Sequence, residues 1–123
     1  MRGQLYRVVI AQEDLTYVIT IQRGGTDVRA DFDSKADLVA IYLHDVDRID
    51  GDEEPHPRAV VLVLDGRAVA IELAHPDLGI EEPLVITADR YGLDREALLA
   101  AASSALLAPD RVVVLDVLAR RAA

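Results

Sequence analysis

Six carboxylates fall within the ten residues DVDRIDGDEE: Asp45, Asp47, Asp50, Asp52, Glu53 and Glu54. Crowded carboxylates repel one another, and a cation or a basic partner relieves that repulsion. The segment therefore has three readings: a hard-cation site, a contact surface for a basic protein, or a solvated loop. A calcium loop of the EF-hand type needs oxygen donors at positions 1, 3 and 5, glycine at 6 and glutamate at 12. Counting from Asp45 puts Ile49 at position 5, Asp50 at 6 and His56 at 12; counting from Asp47 puts Ile49 at 3. That register fails both ways. His44 and His56 bracket the segment, so a loop folded back on itself would bring imidazoles to carboxylates in a pH-dependent contact.

A second set is Glu72, His75 and Asp77, with Glu72 at the end of an apolar run and the other two in the turn beyond it. An imidazole and two carboxylates can bind a metal or act as a general-base pair. The E-x2-H-x-D spacing is not specific, and His75-Pro76 also reads as a loop constraint. A third set is Asp89-Arg90-Tyr91-Gly92, where Arg90 and Tyr91 are residue types suited to an interface anchor. Its structural counterpart is a loop in which Tyr91 covers a helix start. Ser103-Ser104 lies in a helical pattern with no nucleophile elbow, which leaves hydrolase chemistry without support. Gly24-Gly25 precedes a strand pattern and so lacks the strand-glycine-helix context of a phosphate site.

Composition narrows the classes. The chain has 123 residues and a formal charge of -9. One domain of this size buries roughly two thirds of its unfolded surface without needing a metal or disulfide. There is no cysteine, which removes disulfides, thiolate nucleophiles and iron–sulfur clusters. An acidic field repels phosphates, and the basic residues are scattered arginines with Lys35 the only lysine, so nucleic acid is not an expected partner. No apolar stretch reaches the length of a membrane span. The first residues, MRGQLYRVVIAQEDL, carry no signal-peptide cleavage pattern. A cytoplasmic protein is compatible with all of this, and nothing points to a cofactor.

The elements that must position these groups follow from periodicity. YRVVI (6–10) reads as a strand interrupted by Gln12-Glu13-Asp14. LTYVITIQ (15–22) and TDVRADF (26–32) alternate and are joined by Gly24-Gly25, which predicts a three-stranded meander. Val28, Ala30 and Phe32 face inward. Asp33-Ser34, with Asp37 three residues on, resembles a helix start, and Leu38, Ile41 and Tyr42 supply an apolar stripe, predicting a helix that fades near His44–Asp45. AVVLVL (59–64) and RAVAIEL (67–73) flank Asp65-Gly66, a strong hairpin signal, with Ala68, Ala70 and Glu72 assigned to one face. Leu84–Thr87 reads as a short strand. Asp94 is an N-cap for a second helix striped by Leu98, Ala101, Ala102, Ala105 and Leu106, and Pro109 closes it. Residues 111–118, RVVVLDVL, read as the last strand.

The expected fold is α+β: a single antiparallel or mixed sheet built from hairpins, with two helices on one face. Residues 1–118 form the domain and 119–123 a frayed tail. The leading functional expectation is a small acidic, non-enzymatic protein-interaction domain of accessory, inhibitor, immunity or adaptor type. It presents Asp45, Asp47, Asp50, Asp52, Glu53, Glu54, Arg90 and Tyr91 to a basic partner. The alternatives are a small-ligand or metal-dependent enzyme domain using Glu72, His75 and Asp77, and a structural subunit of a homo-oligomer. A homodimer would form through an unblocked edge strand, either 5–10 or 111–118.

Overall fold

The computed structural model describes residues 10–13, 16–21 and 27–117, and side chains over 28–114. Among the described residues, eight strands form one sheet: β1 (Ile10–Glu13), β2 (Thr16–Ile21), β3 (Asp27–Asp33), β4 (Leu38–Tyr42), β5 (Gly51–His56), β6 (Ala59–Leu64), β7 (Arg67–Ala74) and β8 (Val112–Val117). Two helices, α1 (Glu81–Tyr91) and α2 (Arg95–Leu107), stand between β7 and β8 in sequence. The strand order is β1-β2-β8-β3-β4-β7-β6-β5. The six strands from β8 to β5 are antiparallel throughout, and β2 joins β8 in parallel. This is the expected α+β class, with a mixed sheet.

Strand parity decides the two faces. Register places Val113, Ala30, Ile41, Ile71 and Val61 in one row across five strands. All five are fully buried. They form the core with Leu84 and Ala88 of α1 and Leu98, Ala101, Ala102 and Ala105 of α2. The small residues of α2 let its backbone approach β3, β4 and β8, while α1 packs on β5, β6 and β7. Both helices lie on this face. Asp94 caps α2 as expected, its carboxylate accepting from the amides of Glu96 and Ala97 at 3.0 and 3.2 Å.

Several sequence expectations are corrected. Residues 34–43 do not form a helix: 34–37 are a turn and Leu38–Tyr42 is β4. The Asp33 carboxylate accepts from the amides of Lys35 and Ala36, and Asp37 sits at φ 57°. The polar signals that suggested a helix cap serve a β3–β4 turn instead, because an αL residue cannot continue a right-handed helix. Val39, Ala40 and Ile41 are buried in succession, and the two β-branched residues, Val39 and Ile41, are fully so, which suits a strand.

Leu84–Thr87, expected as a strand, lies inside α1. Pro83 is tolerated there because first-turn amides have no intrahelical acceptor. Glu81 and Glu82 complement the positive helix start. The buried Thr87 hydroxyl donates to the Pro83 carbonyl at 2.7 Å. Asp89-Arg90-Tyr91 is consequently the last turn of α1, which ends at Gly92 (φ 67°), rather than a loop before α2.

The three-stranded meander is replaced by an insertion. β8 lies between β2 and β3 and pairs with both. Its VVVLDV run is apolar at both parities, as an interior strand requires. It is therefore not an edge open to a second chain. Gly24-Gly25 and residues 5–9 lie outside the described residues, and Gln12 and Glu13 belong to β1 rather than interrupting a strand.

The β6–β7 hairpin forms as expected around Asp65 and Gly66, both at positive φ. A bulge refines it: Leu62 pairs with Ala70 and Val63 with Ala68, leaving Val69 extra. Ala68 therefore joins the helix-covered core, while Ala70 and Glu72 share the opposite face.

Candidate functional site

The residues predicted as one acidic interaction surface divide among three places. Asp45, Asp47 and Asp50 lie in the exposed connection from β4 to β5, and Asp52, Glu53 and Glu54 are exposed in β5, the outermost strand. The segment is thus half connector and half edge strand. Several of its carboxylates have structural work. Asp45 pairs with the Arg29 guanidinium. Asp50 accepts from the Asp65 amide at 3.0 Å, tying the connection to the β6–β7 turn. Glu53 accepts from the Tyr91 hydroxyl. Asp47, Asp52 and Glu54 make no hydrogen bond or ion pair among the described residues.

Tyr91 and Glu53 thus satisfy each other on the helical side, where the Arg90 guanidinium lies 5.9 Å from the Tyr91 ring centroid. The Tyr91 hydroxyl is held above its ordinary pKa by desolvation and then by the Glu53 carboxylate. Neither histidine turns to the acidic segment. His44 Nε2 lies 3.3 Å from the Arg67 guanidinium, and His56 Nε2 lies 3.8 Å from Glu82.

β5 also carries the devices that keep an edge from pairing. It has three consecutive exposed acids, then Pro55, and its register with β6 shifts between Glu53 and His56. Charge, proline and a bulge each spoil a template for strand addition.

The sheet face away from the helices is the larger feature, and sequence reasoning did not single it out. Its register rows are Arg29, Tyr42, Ala70, Leu62 and Asp52, and Val112, Asp31, Ala40, Glu72 and Val60. Val60, Leu62 and Val114 are half-buried, and Tyr42 and Val112 are each 41% exposed. Ala40 and Ala70 form a low floor between larger neighbours. Asp31, Glu72, Asp52 and Arg29 surround this floor, and Arg29 is already paired with Asp45, which leaves the face acidic. The charges sense each other: burial, then Asp33, raises the Asp31 pKa. Burial, then Asp31 and Glu72, raises that of Tyr42, while Arg29 opposes the shift. A signal was present in the polar parity of β3 and in Glu72, but assigning Tyr42 to a helix hid the row that joins them.

The Glu72–His75–Asp77 set also divides. Glu72 belongs to the face away from the helices, uncovered among the described residues. His75 and Asp77 instead meet Asp37, and one ligand atom from each of these three lies within 4.8 Å of the others. Asp37 comes from the β3–β4 turn, a position no spacing rule relates to 75 and 77.

Comparison with protein-family models, with curated proteins and with solved structures gives no match. No helix among the described residues is long and apolar enough to cross a membrane.

Proposed function

We propose that this chain is a non-enzymatic protein-interaction domain that receives a basic, partly apolar polypeptide on the uncovered face of its sheet. The observation that supports it is the combination on one face of 41%-exposed Tyr42 and Val112 with the carboxylates Asp31, Asp52 and Glu72. Apolar area at the centre provides the driving force for association, tyrosine suits an interface anchor, and an acidic surround selects and steers a basic partner. Asp47 and the rest of the β4–β5 connection extend the same field beyond the sheet. The formal charge of -9 acts in the same direction.

Selection from a random displayed-peptide library against the folded domain tests this reading. The expected result is enrichment of sequences combining Arg or Lys with aliphatic or aromatic residues, with binding that weakens as salt rises. Enrichment of acidic sequences, or binding indifferent to Tyr42→Ala and Glu72→Gln, would contradict it.

A further inference from the structure

We propose that Asp37, His75 and Asp77 form a binding site for a divalent transition-metal ion of the zinc class. This does not rest on the protein-binding reading, since none of the three has been placed on the uncovered face. One imidazole and two carboxylates supply the mixed nitrogen and oxygen donors that zinc accepts, whereas calcium and magnesium favour oxygen alone. With His75 neutral, the two carboxylates carry two negative charges, which a divalent ion balances.

The geometry is close to that of a ligated ion. His75 Nδ1 stands 2.8 Å from Asp37 Oδ2. Two ligands of a tetrahedral zinc, each about 2.1 Å from the metal, stand about 3.4 Å apart. Opening the pair by about half an ångström, and drawing the Asp77 oxygen in from within 4.8 Å, would bring the three donors to that spacing. Both side chains have room to move, at 39% and 60% exposure for Asp37 and His75. A histidine–aspartate hydrogen bond would by itself account for that pair. It does not account for Asp77, which also offers a carboxylate oxygen to the group and makes no hydrogen bond or ion pair among the described residues.

The backbone beneath the ligands is fixed. The His75 amide donates to the Asp37 carbonyl at 2.9 Å, joining the two segments. The Arg58 guanidinium donates to the carbonyls of Ala74, His75 and Gly79 at 3.1, 2.8 and 2.8 Å, holding the loop that carries His75 and Asp77. Pro76 is buried between them. Asp37 and His75 both occupy positive φ, at 57° and 51°, a conformation unfavourable by about 1 kcal/mol or more for residues with a Cβ. Three protein ligands on an exposed rim leave a fourth position to water, as in open zinc sites.

The test is calorimetric titration of the chelator-treated full chain with zinc alone, repeated with His75→Asn, Asp37→Asn and Asp77→Asn. Asparagine tolerates positive φ, and circular dichroism of each variant checks that it folds. The expected result is one zinc per chain, with affinity reduced on the order of tenfold or more in every variant and unaffected by millimolar magnesium. Zinc binding that is absent, or equal in the intact chain and in folded His75→Asn and Asp77→Asn, would overturn the proposal. A loss of stability in His75→Asn and Asp37→Asn with no zinc response in the parent would assign the pair to a hydrogen bond alone and equally overturn it.

Discussion

Asp31 and Glu72 flank Ala40 across three hydrogen-bonded strands, Asp31 in register from β3 and Glu72 from β7. At the usual strand spacing their Cα atoms are about 10 Å apart. Two carboxylates are thus held on one face with an alanine floor between them, too far apart to share a proton and near enough for one extended ligand to meet both.

Asp31 itself carries a cost of burial on this face. Its folded pKa lies above the ordinary 3.8, first through burial and then through Asp33. Between 3.8 and that raised value the folded state binds more protons than the unfolded one, so stability falls as pH rises through the window and stays lower above it. Asp31→Asn removes the charge. It is expected to be more stable than the parent at neutral pH and to lose that advantage below the unfolded pKa, where the parent is also neutral. Urea unfolding of both proteins at pH 7 and pH 3 checks the sign. Equal differences at the two pH values would contradict it.

The helical layer should respond to two substitutions by different amounts. Leu84 is fully buried between α1 and the sheet, and Leu84→Ala is expected to cost about 2–5 kcal/mol through lost contact and residual cavity. Asp94→Ala removes a cap that satisfies two amides and is expected to cost about 1 kcal/mol. Denaturant midpoints at constant slope measure both, and a Leu84→Ala cost below that of Asp94→Ala would mean that α1 is not docked on the core.

The acids of β5 are expected to keep the protein from pairing at its edge. Replacing Asp52 and Glu54 with threonine and Pro55 with valine restores an uninterrupted β-forming edge beside β6. Light scattering over a concentration series should show the triple variant associating while the parent does not pair through this edge. A variant whose scattering matches the parent would show that charge and proline are not what protects β5.

Much of this architecture was legible because local and global signals agreed. Asp65-Gly66 and the apolar AVVLVL run specify the β6–β7 hairpin, and Asp94 with the leucine and alanine stripe specifies α2. Legibility failed where a local signal had two physical uses. Asp33, Ser34 and Asp37 look like a helix cap, yet their hydrogen bonds and the αL conformation of Asp37 make a turn. Val85, Ile86 and Thr87 favour a strand, but the tertiary contact of Leu84 and Ala88 with the core wins. Non-local pairing was out of reach of periodicity altogether: nothing local places β8 between β2 and β3, the Val69 bulge reverses the face of Ala68, and Asp37 reaches His75 across 38 residues of chain. The acidic segment was legible as composition only. Which carboxylates are engaged depends on Arg29, Asp65 and Tyr91.

Docking of a basic partner on the uncovered face is open to affinity capture with three forms of the full chain: the parent, a face variant (Tyr42→Ala, Asp52→Asn, Glu72→Gln) and a helix-side variant (Arg90→Ala, Tyr91→Phe). The expected result is a partner whose binding segment is rich in Arg or Lys, retained by the helix-side variant, lost from the face variant, and protecting the amides of β4, β6 and β7 from hydrogen exchange. Loss from the helix-side variant alone, or equal capture by all three, would contradict it.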